Sequence, residues 1–248
     1  MPALIRIYLA LQVLWLGACA TTTQMDSTPL IEPVKAALAA EQPGRAWWQL
    51  RFKLVWPEEE NPDFSRHLLI AEQLLLPVIT AHEQELALWR FHRRAARDAT
   101  GNQFSLIFYA DEATATQINH QINTDPLTIW LLDRSMIDKT AFNKRTRQEL
   151  GLLEQTSDPE WPIEIQRSWP YFIMGASQSW LMQLQEISAE AGLEGRVSYS
   201  DLLIHYQRVD QTLNAQWQEY GQHAYLHHLN AVFGYQPLRI RGSVLRRF

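Results

Sequence analysis

The sequence predicts an α+β protein in which a sheet domain of order βαββαβ is followed by a long antiparallel α-helical hairpin. Three observations lead to this prediction. Apolar and polar residues alternate over residues 45–56, runs with strand or helix spacing follow up to residue 140, and two long amphipathic stretches lie beyond it. Alternation is typical of a half-buried strand, whereas apolar residues three or four positions apart are typical of a helix with one buried face.

The sheet domain, residues 45–140, opens with the clearest elements. The alternating residues 45–56 predict the first strand, which Pro57 ends. Asp63 can then cap a helix that runs to about residue 85. Pro77 falls within that helix, so we expect it to bend or divide there.

Shorter apolar runs complete the sheet domain. Residues 86–91 predict the second strand and residues 104–109 the third, with a polar turn over 93–102 between them. A helix over 111–122 follows, and the apolar run 127–132 predicts the fourth strand. The order β-α-β-β-α-β is that of ferredoxin-like folds, in which two helices cover one face of a four-stranded antiparallel sheet.

The remainder of the chain, residues 141–248, is predicted to be α-helical and to end in a basic tail. One amphipathic helix is expected over 168–191, and a longer one begins at Ser198 or Ser200 and keeps one apolar stripe to about residue 231. The two helices are expected to pair antiparallel. The tail carries Arg239, Arg241, Arg246 and Arg247. Solvation of this tail and contact with an anionic membrane surface or a partner are its two interpretations.

Composition narrows the classes of function. The chain has 248 residues, ten tryptophans and a formal net charge of -5. Because a nucleic-acid binder carries a basic face, no nucleic-acid partner is expected. Cys19 is the single cysteine. If it is modified, the body has no disulfide, thiol nucleophile or thiolate metal ligand, and no cofactor is predicted.

The amino-terminal residues carry the most specific motif. A short charged region with Arg6 precedes the apolar run 7–16, which is too short to span a bilayer. Small residues then lead to a cysteine in Leu16-Gly17-Ala18-Cys19, and a polar stretch rich in Thr and Ser follows at once. This arrangement resembles the lipobox of bacterial lipoproteins.

The resemblance implies that residues 1–18 are a signal peptide and that Cys19 receives lipid. Residues 19–44 are then a tether with a short helix. Burial of each acyl methylene contributes about 0.8 kcal/mol, so two or three chains hold a protein firmly on a membrane. Ala20, rather than an acidic residue, follows the cysteine, which favours the outer membrane with the body facing the periplasm. An ordinary signal peptide with a chance cysteine and a buried core segment are the alternatives.

A second resemblance concerns the predicted sheet domain. Trp48, the triplet Trp89-Arg90-Phe91 and the strand 104–109 resemble a small domain that accompanies lantibiotic and thiopeptide biosynthesis enzymes. A cytoplasmic biosynthetic role would contradict the lipobox. No function is therefore carried over from this resemblance.

Glu219, His223 and His227 form the most suggestive group of candidate ligands, spaced by four residues along the long helix, with His228 adjacent. Residues at such positions drift around a helix by roughly 80° in total, so two neighbours hold one ion more easily than all three. A metal site would need a further ligand from elsewhere. Packing and solvation of the same histidines is the alternative interpretation.

Arg90, His92, Arg93 and Arg94 make a basic cluster at the end of the second predicted strand. Such a cluster can receive an anionic group, for example a lipid phosphate or a glycan carboxylate, through charge-assisted hydrogen bonds. A solvated turn whose charges are neutralised by nearby acidic residues is the alternative.

Two further residues, Asp201 and His205, are one helical turn apart and could orient a nucleophile such as Ser177 or Ser179. That segment lacks the second glycine of the G-x-S-x-G elbow and lies within a predicted helix. Its small residues are instead expected to let another backbone approach closely.

Together these features predict a membrane-anchored lipoprotein of the cell envelope with a binding or assembly role. Its expected partners are the membrane, through lipid on Cys19, and an envelope protein. One alternative is an envelope hydrolase or metal-dependent enzyme that uses Glu219, His223 and His227. A second is a carrier of a small apolar or glycan ligand, held in a Trp-lined groove between the sheet and the helical hairpin.

Overall fold

The computed structural model describes residues 44–144, 151–193 and 197–237. The predicted signal peptide, Cys19, the tether with its short helix up to residue 43, and the arginines of the basic tail lie outside these residues. All the described elements belong to one compact unit. A form of the protein that starts at Ala20 therefore keeps the whole of this unit.

Four strands form one antiparallel sheet. They are β1 (Arg45–Leu54), β2 (Leu88–Ala95), β3 (Asn102–Asp111) and β4 (Ile137–Lys144). Their order across the sheet is β2-β3-β1-β4, and each neighbouring pair is antiparallel. The alternating first strand thus lies at the centre of the sheet, where both of its edges are paired.

Helical segments fill the connections on either side of the β2–β3 pair. Between β1 and β2 lie α1 (Ser65–Ile70), a π-helical segment (Ala71–Leu75) and α2 (Leu76–Ala81). Pro77 stands in the first turn of α2. Proline lacks the N–H that a carbonyl four residues earlier would accept, and the π segment lies just before it, where the predicted division falls.

Between β3 and β4 lie α3 (Glu112–Thr124) and α4 (Pro126–Asp133). The prediction of a strand over 127–132 is therefore wrong. The Asp125 side chain accepts a hydrogen bond from the N–H of Leu127, and Pro126 occupies the first turn. A capping residue followed by proline starts a helix, and this local signal overrides the apolar run.

The polar turn predicted over 93–102 is also partly wrong, because β2 continues to Ala95. Arg93 and Arg94 stand opposite Phe104 and Gln103 of β3 in the ladder. The pairing continues to Ala95 opposite Asn102, and the Arg93 side chain there contacts His67, which composition does not reveal.

Beyond the sheet, a short 3₁₀ turn (Leu153–Thr156) precedes two long helices, α5 (Ile163–Ala191) and α6 (Tyr199–Gly221). A second π segment (Gln222–His227) and α7 (His228–Val232) continue from α6. The helices α5 and α6 pack against each other. Within the described ranges, no helix combines the length and the apolarity needed to cross a membrane.

The main core lies between one face of the sheet and the helices. Its sheet residues alternate along the strands, and β1 and β3 contribute Trp48, Leu50, Phe52, Phe104, Leu106 and Phe108. A smaller core lies on the other face and consists of Trp47, Leu88, Ile107, Tyr109 and Leu153. Burial of each such large apolar side chain contributes about 1.5–3 kcal/mol, so the sheet is held from both sides.

The edge of β2 is covered by α5. The N–H of Phe91 donates to Ser177 Oγ (3.1 Å), and the same hydroxyl donates to the carbonyl of Ile173 (2.8 Å). An unpaired edge strand is a template for aggregation, and this contact satisfies one of its free N–H groups. Ser177 thus marks the close approach of a second backbone.

Candidate functional site

A groove of about 800 Å³ lies between α5 and the carboxyl-terminal helical segments. This volume is within the range of small-molecule sites, about 300–1,000 Å³. Ten of the sixteen described residues that line it are apolar or aromatic: Phe172, Ala176, Trp180, Leu213, Trp217, Ala224, Tyr225, Leu226, Leu229 and Val232. The others are Arg93, Gly175, Ser179, Gln183, Asn214 and His228. None of the sixteen is acidic.

The apolar wall formed by α6, the π segment and α7 stays open to solvent. Trp217 is 56% exposed, Leu226 is 55% exposed and Val232 is 81% exposed. The apolar stripe is buried as far as Leu213, but beyond that residue it faces outward. Clustered exposed apolar side chains mark interaction sites in folded proteins.

Local backbone geometry places the aromatic residues of this wall. Trp217 and Tyr225 stack with ring centroids 5.8 Å apart, across the start of the π segment. A Cβ at Gly221 would lie 2.9 Å from Cε3 of Trp217, so only glycine leaves room for this ring position. A π turn holds one more residue than an α turn, which rotates the residues after it relative to those before.

Among the described residues that line the groove, Arg93 of β2 carries the one formal positive charge. Its Nε donates to Nδ1 of His67 (3.3 Å) and one Nη donates to the carbonyl of Phe64 (3.4 Å). The guanidinium lies over the rings of Phe64 (5.0 Å) and Trp180 (5.2 Å). In the described part of the chain, no carboxylate comes within the ion-pair distance of 4.0 Å.

His67 is fully buried beneath Arg93. Its ring stacks on Phe104 at 5.1 Å, meets Phe64 edge-on at 5.2 Å, and places Nε2 3.0 Å from Oδ1 of Asn102. Because Arg93 donates to Nδ1, the proton of the neutral ring lies on Nε2 and is donated to Asn102. Burial, and after it the charge of Arg93, hold the pKa of His67 well below its usual value.

The electrostatics around Arg93 leave its charge incompletely neutralised. Burial lowers the pKa of Arg93 to about 10, against the opposing influence of Asp210, so the side chain stays charged at neutral pH. Burial also raises the pKa of Asp210, an effect that Arg93 opposes and Asp63 reinforces. Asp210 accepts its hydrogen bond from Asn214 (3.0 Å) rather than from Arg93.

The four residues of the predicted basic cluster do not converge. Strand alternation places Arg90, His92 and Arg94 on one face of the sheet and Arg93 on the other. Arg90 is buried and donates to the carbonyl of Thr156 (3.3 Å). Arg94 forms an ion pair with Asp98. The hydrogen bonds that Asp98 accepts, first of all from Arg94, hold the pKa of its carboxyl well below the usual value. Only Arg93 of the four lines the groove.

The histidines of the predicted metal group lie together on the exposed surface. The ring centroids of His223 and His227 are 5.2 Å apart, and His228 lies 5.4 and 5.3 Å from them. No hydrogen bond or ring contact joins Glu219 to these rings among the described residues. In residues 44–144, 151–193 and 197–237, no three His, Cys, Asp or Glu side chains are grouped to hold a metal ion. The metal site stays a prediction, and of this group only His228 lines the groove.

The residues considered for a hydrolytic triad are held apart. The carboxylate of Asp201 accepts from the N–H of Ser198 (3.0 Å) and so belongs to the cap of α6. His205 instead places Nε2 2.9 Å from Oγ of Ser188. Ser177 is engaged at the edge of β2, whereas Ser179 lines the groove.

A partly buried polar network between α6 and the first π segment was not predicted from the sequence. Tyr206 donates to Oε2 of Glu72 (2.8 Å), and Gln73 donates to the Tyr206 hydroxyl (2.7 Å). Burial raises the pKa of Glu72, and burial together with the Glu72 charge raises that of Tyr206. None of these residues is among the described lining of the groove. Their hydrogen bonds join α6 to the first π segment.

Neither the protein-family models nor the curated protein sequences give a match to this chain. Function is therefore inferred from the groove and from the amino-terminal motif.

Proposed function

We propose that the protein is a lipid-anchored binding protein of the cell envelope, which holds an apolar ligand in the groove between α5 and the carboxyl-terminal segments. The groove itself supports this proposal: it has about 800 Å³, a mostly apolar and aromatic lining, and few polar groups. Such a combination is typical of sites that bind small molecules by excluding water. It corresponds to the carrier function among those the sequence predicts.

The anchor is part of the proposal. Residues 1–18 act as the signal peptide, and lipid on Cys19 holds the body at the outer membrane, facing the periplasm. The motif Leu16-Gly17-Ala18-Cys19 supports this assignment. An anchored binding protein meets membrane-derived amphiphiles at high local concentration, because its tether keeps it close to the bilayer.

We also propose that the sheet and its covering helices form a ferredoxin-like domain, and that α5 and α6 form an antiparallel hairpin beside it. The strand order β2-β3-β1-β4 and the antiparallel pairing support the first assignment. The packing of α5 on α6 supports the second. The described lining of the groove then comes from both arms of this hairpin and from the segments that continue α6, with Arg93 added from β2.

A partner protein of the envelope is the second candidate for this surface. Apolar side chains outside the groove lining favour it, since Tyr220, Phe233 and Tyr235 are also exposed. Crosslinking in intact cells through a photoreactive residue at position 233 tests this candidate. A partner crosslinked at position 233, but not at the exposed position Glu190 on α5, supports it.

Binding of the neutral fluorescent probe N-phenyl-1-naphthylamine to residues 20–248 tests the carrier function. We expect saturable binding at one site in the wild-type protein. Ala176 is exposed and lines the groove, so Ala176→Trp fills the groove and weakens binding by at least about tenfold. Ala189→Trp is the matched control, because Ala189 is exposed on the same helix but lies outside the groove lining. Equal binding by both variants contradicts the proposal.

Incorporation of labelled palmitate tests the anchor in cells that express the full chain. We expect label on the wild-type protein and none on the Cys19→Ala variant, since the thiol is the site of acyl attachment. Label that persists in the variant contradicts the assignment of Cys19.

A further inference from the structure

We propose that Arg93 makes the groove selective for an anionic amphiphile: a single long acyl chain that ends in a carboxylate or a phosphate. The anionic group binds Arg93, and the chain lies along the aromatic wall. This inference rests on the proposed carrier function and names the class of ligand for the same groove.

The charge of Arg93 favours an anionic ligand. Arg93 is the one Lys, Arg, Asp or Glu side chain among the sixteen that line the groove. Its hydrogen-bond acceptors, Nδ1 of His67 and the carbonyl of Phe64, are both neutral. A partly buried cation that lacks a hydrogen-bonded carboxylate is costly, and an anion delivered by a ligand offsets that cost.

The contacts around Arg93 leave part of its guanidinium available to a ligand. His67 and Phe64 fix one edge of the guanidinium, and the rings of Phe64 and Trp180 flank it. The remaining Nη makes no hydrogen bond within the described part of the chain. It keeps some exposed surface, because it is not among the fully buried unpaired atoms. A positioned guanidinium with a free N–H edge is suited to a carboxylate or phosphate oxygen.

The groove beside Arg93 offers an apolar surface to the acyl chain of the ligand. Trp180 contacts the guanidinium, so an anion bound there has an aromatic surface beside it. The opposite wall runs from Leu213 to Val232 along α6, the π segment and α7, and leaves room for a long extended acyl chain. Trp217 and Leu229 lie on the same wall. The groove thus offers a charged end and an apolar length.

Asp210 sets the limit of this selectivity. It is the acidic side chain whose charge acts on Arg93, and it lies outside the groove lining. Its carboxylate is hydrogen-bonded to Asn214, and its pKa is raised by burial. A ligand anion that bonds directly to Arg93 therefore competes with a carboxylate that makes no hydrogen bond to Arg93 in the described part of the chain.

Displacement of N-phenyl-1-naphthylamine from residues 20–248 at pH 8 tests the inference. The competitors are hexadecanoate, hexadecyl phosphate, hexadecanol and hexadecyltrimethylammonium, each below its micelle concentration. We expect at least one of the two anions to bind about tenfold or more tightly than the alcohol, and the cation to bind most weakly. The tighter of the two anions identifies the head group.

Two variants of Arg93 test whether this side chain causes the preference for anions. Arg93→Gln is expected to bind the anions and hexadecanol with similar affinity, while Arg93→Lys retains part of the preference. Arg208→Gln is the matched control, since Arg208 is exposed on α6 and does not line the groove. It should keep the full preference. If Arg93→Gln does not fold, the ligand series on the wild-type protein decides the question alone.

The outcomes separate the two levels of the proposal. Equal affinity of the wild-type protein for the anions and for hexadecanol overturns the role of Arg93 and leaves the carrier function standing. Failure of all four ligands to displace the probe, or absence of probe binding, overturns the carrier function itself. A preference for the anions that survives in Arg93→Gln also overturns the inference.

Discussion

The sheet and the carboxyl-terminal helical segments use the same kinds of side chain in opposite ways. At the sheet, Phe52, Phe104 and Phe108 are entirely buried, whereas Trp217 and Phe233 near the carboxyl terminus are mostly exposed. In the first region aromatic burial already contributes to folding. In the second, the same gain is available only when something covers the surface.

Polar groups of the two regions also differ in how completely they are hydrogen-bonded, as Trp48, His67 and Arg93 illustrate. At the sheet, the indole N–H of Trp48 is bonded to the carbonyl of Ala110 (3.0 Å), and His67 is bonded to Asn102. At the groove, Arg93 keeps a charge that lacks a hydrogen-bonded carboxylate. Full hydrogen bonding of a buried group such as His67 indicates a structural role, and an incompletely paired charge beside an apolar groove indicates a binding role.

Removal of a core ring should have the largest effect. Phe104→Ala leaves a cavity beside His67, Phe91 and Trp180, and we expect a loss of about 3–5 kcal/mol in the free energy of unfolding. Phe233→Ala should change it by no more than about 0.5 kcal/mol. Urea unfolding of residues 20–248 measures both. Similar losses in the two variants would mean that the carboxyl-terminal segment belongs to the core.

Removal of an aromatic ring from the groove should instead weaken ligand binding and leave stability nearly unchanged. Trp217→Ala removes a ring from one wall of the groove and its stacking on Tyr225. We therefore expect probe binding to weaken by about tenfold, with little change in the free energy of unfolding. Tyr220→Ala is the matched control, because Tyr220 is exposed nearby but lies outside the lining. Loss of stability without loss of binding in Trp217→Ala would remove the distinction between the regions.

The buried histidine should give the protein a dependence on acid. The pKa of His67 is lowered in the folded state, so below its unfolded value, about 6.5, the unfolded chain binds more protons. Stability is therefore full above this pH and falls as the pH decreases below it, by at most about 1.4 kcal/mol per pH unit.

Unfolding of the wild type and His67→Gln between pH 5 and 8 measures this dependence. We expect a shallower slope in the variant whatever its absolute stability. His205, whose pKa burial also lowers, contributes in the same direction and stays in both proteins. Equal slopes would show that His67 does not titrate with folding.

A methyl group at Gly221 should have the smallest effect. In Gly221→Ala the new Cβ would lie 2.9 Å from the Trp217 ring, which must shift. We expect probe binding to weaken by a few-fold. Alanine favours a helix over glycine by about 1 kcal/mol, so stability should not fall. Unchanged affinity would show that the position of this ring does not matter for the ligand.

Some of the fold follows from local sequence signals. The alternation around Phe52 predicted the central strand, and Ser198 with Asp201 forms the capping box of α6. Residues 127–132 were predicted wrongly, because a short apolar run does not distinguish a strand from a helix. The Asp125-Pro126 start signal, which does, precedes that run.

The candidate site could be predicted only in part. A Trp-lined groove was expected between the sheet and the helical hairpin, but the groove lies between α5 and the carboxyl-terminal segments, and of its described lining only Arg93 comes from the sheet. Its walls depend on where α6 turns into the π segment, and hydrophobic spacing does not show that change. The basic cluster drew attention to Arg93, yet separating it from Arg90 and Arg94 required knowing that β2 extends to Ala95. His67 was missed because its partners lie on β2 and β3, distant in the sequence.

A crystal structure of residues 20–248 bound to 16-bromohexadecanoate tests most directly whether the groove is a ligand site. Anomalous scattering locates the bromine at the apolar end of the chain. We expect its peak between α5 and α7, beside the lining residues Leu229 and Val232, with the carboxylate at Arg93. A bromine peak outside the groove, or a groove left empty at saturating ligand, would contradict the proposed function.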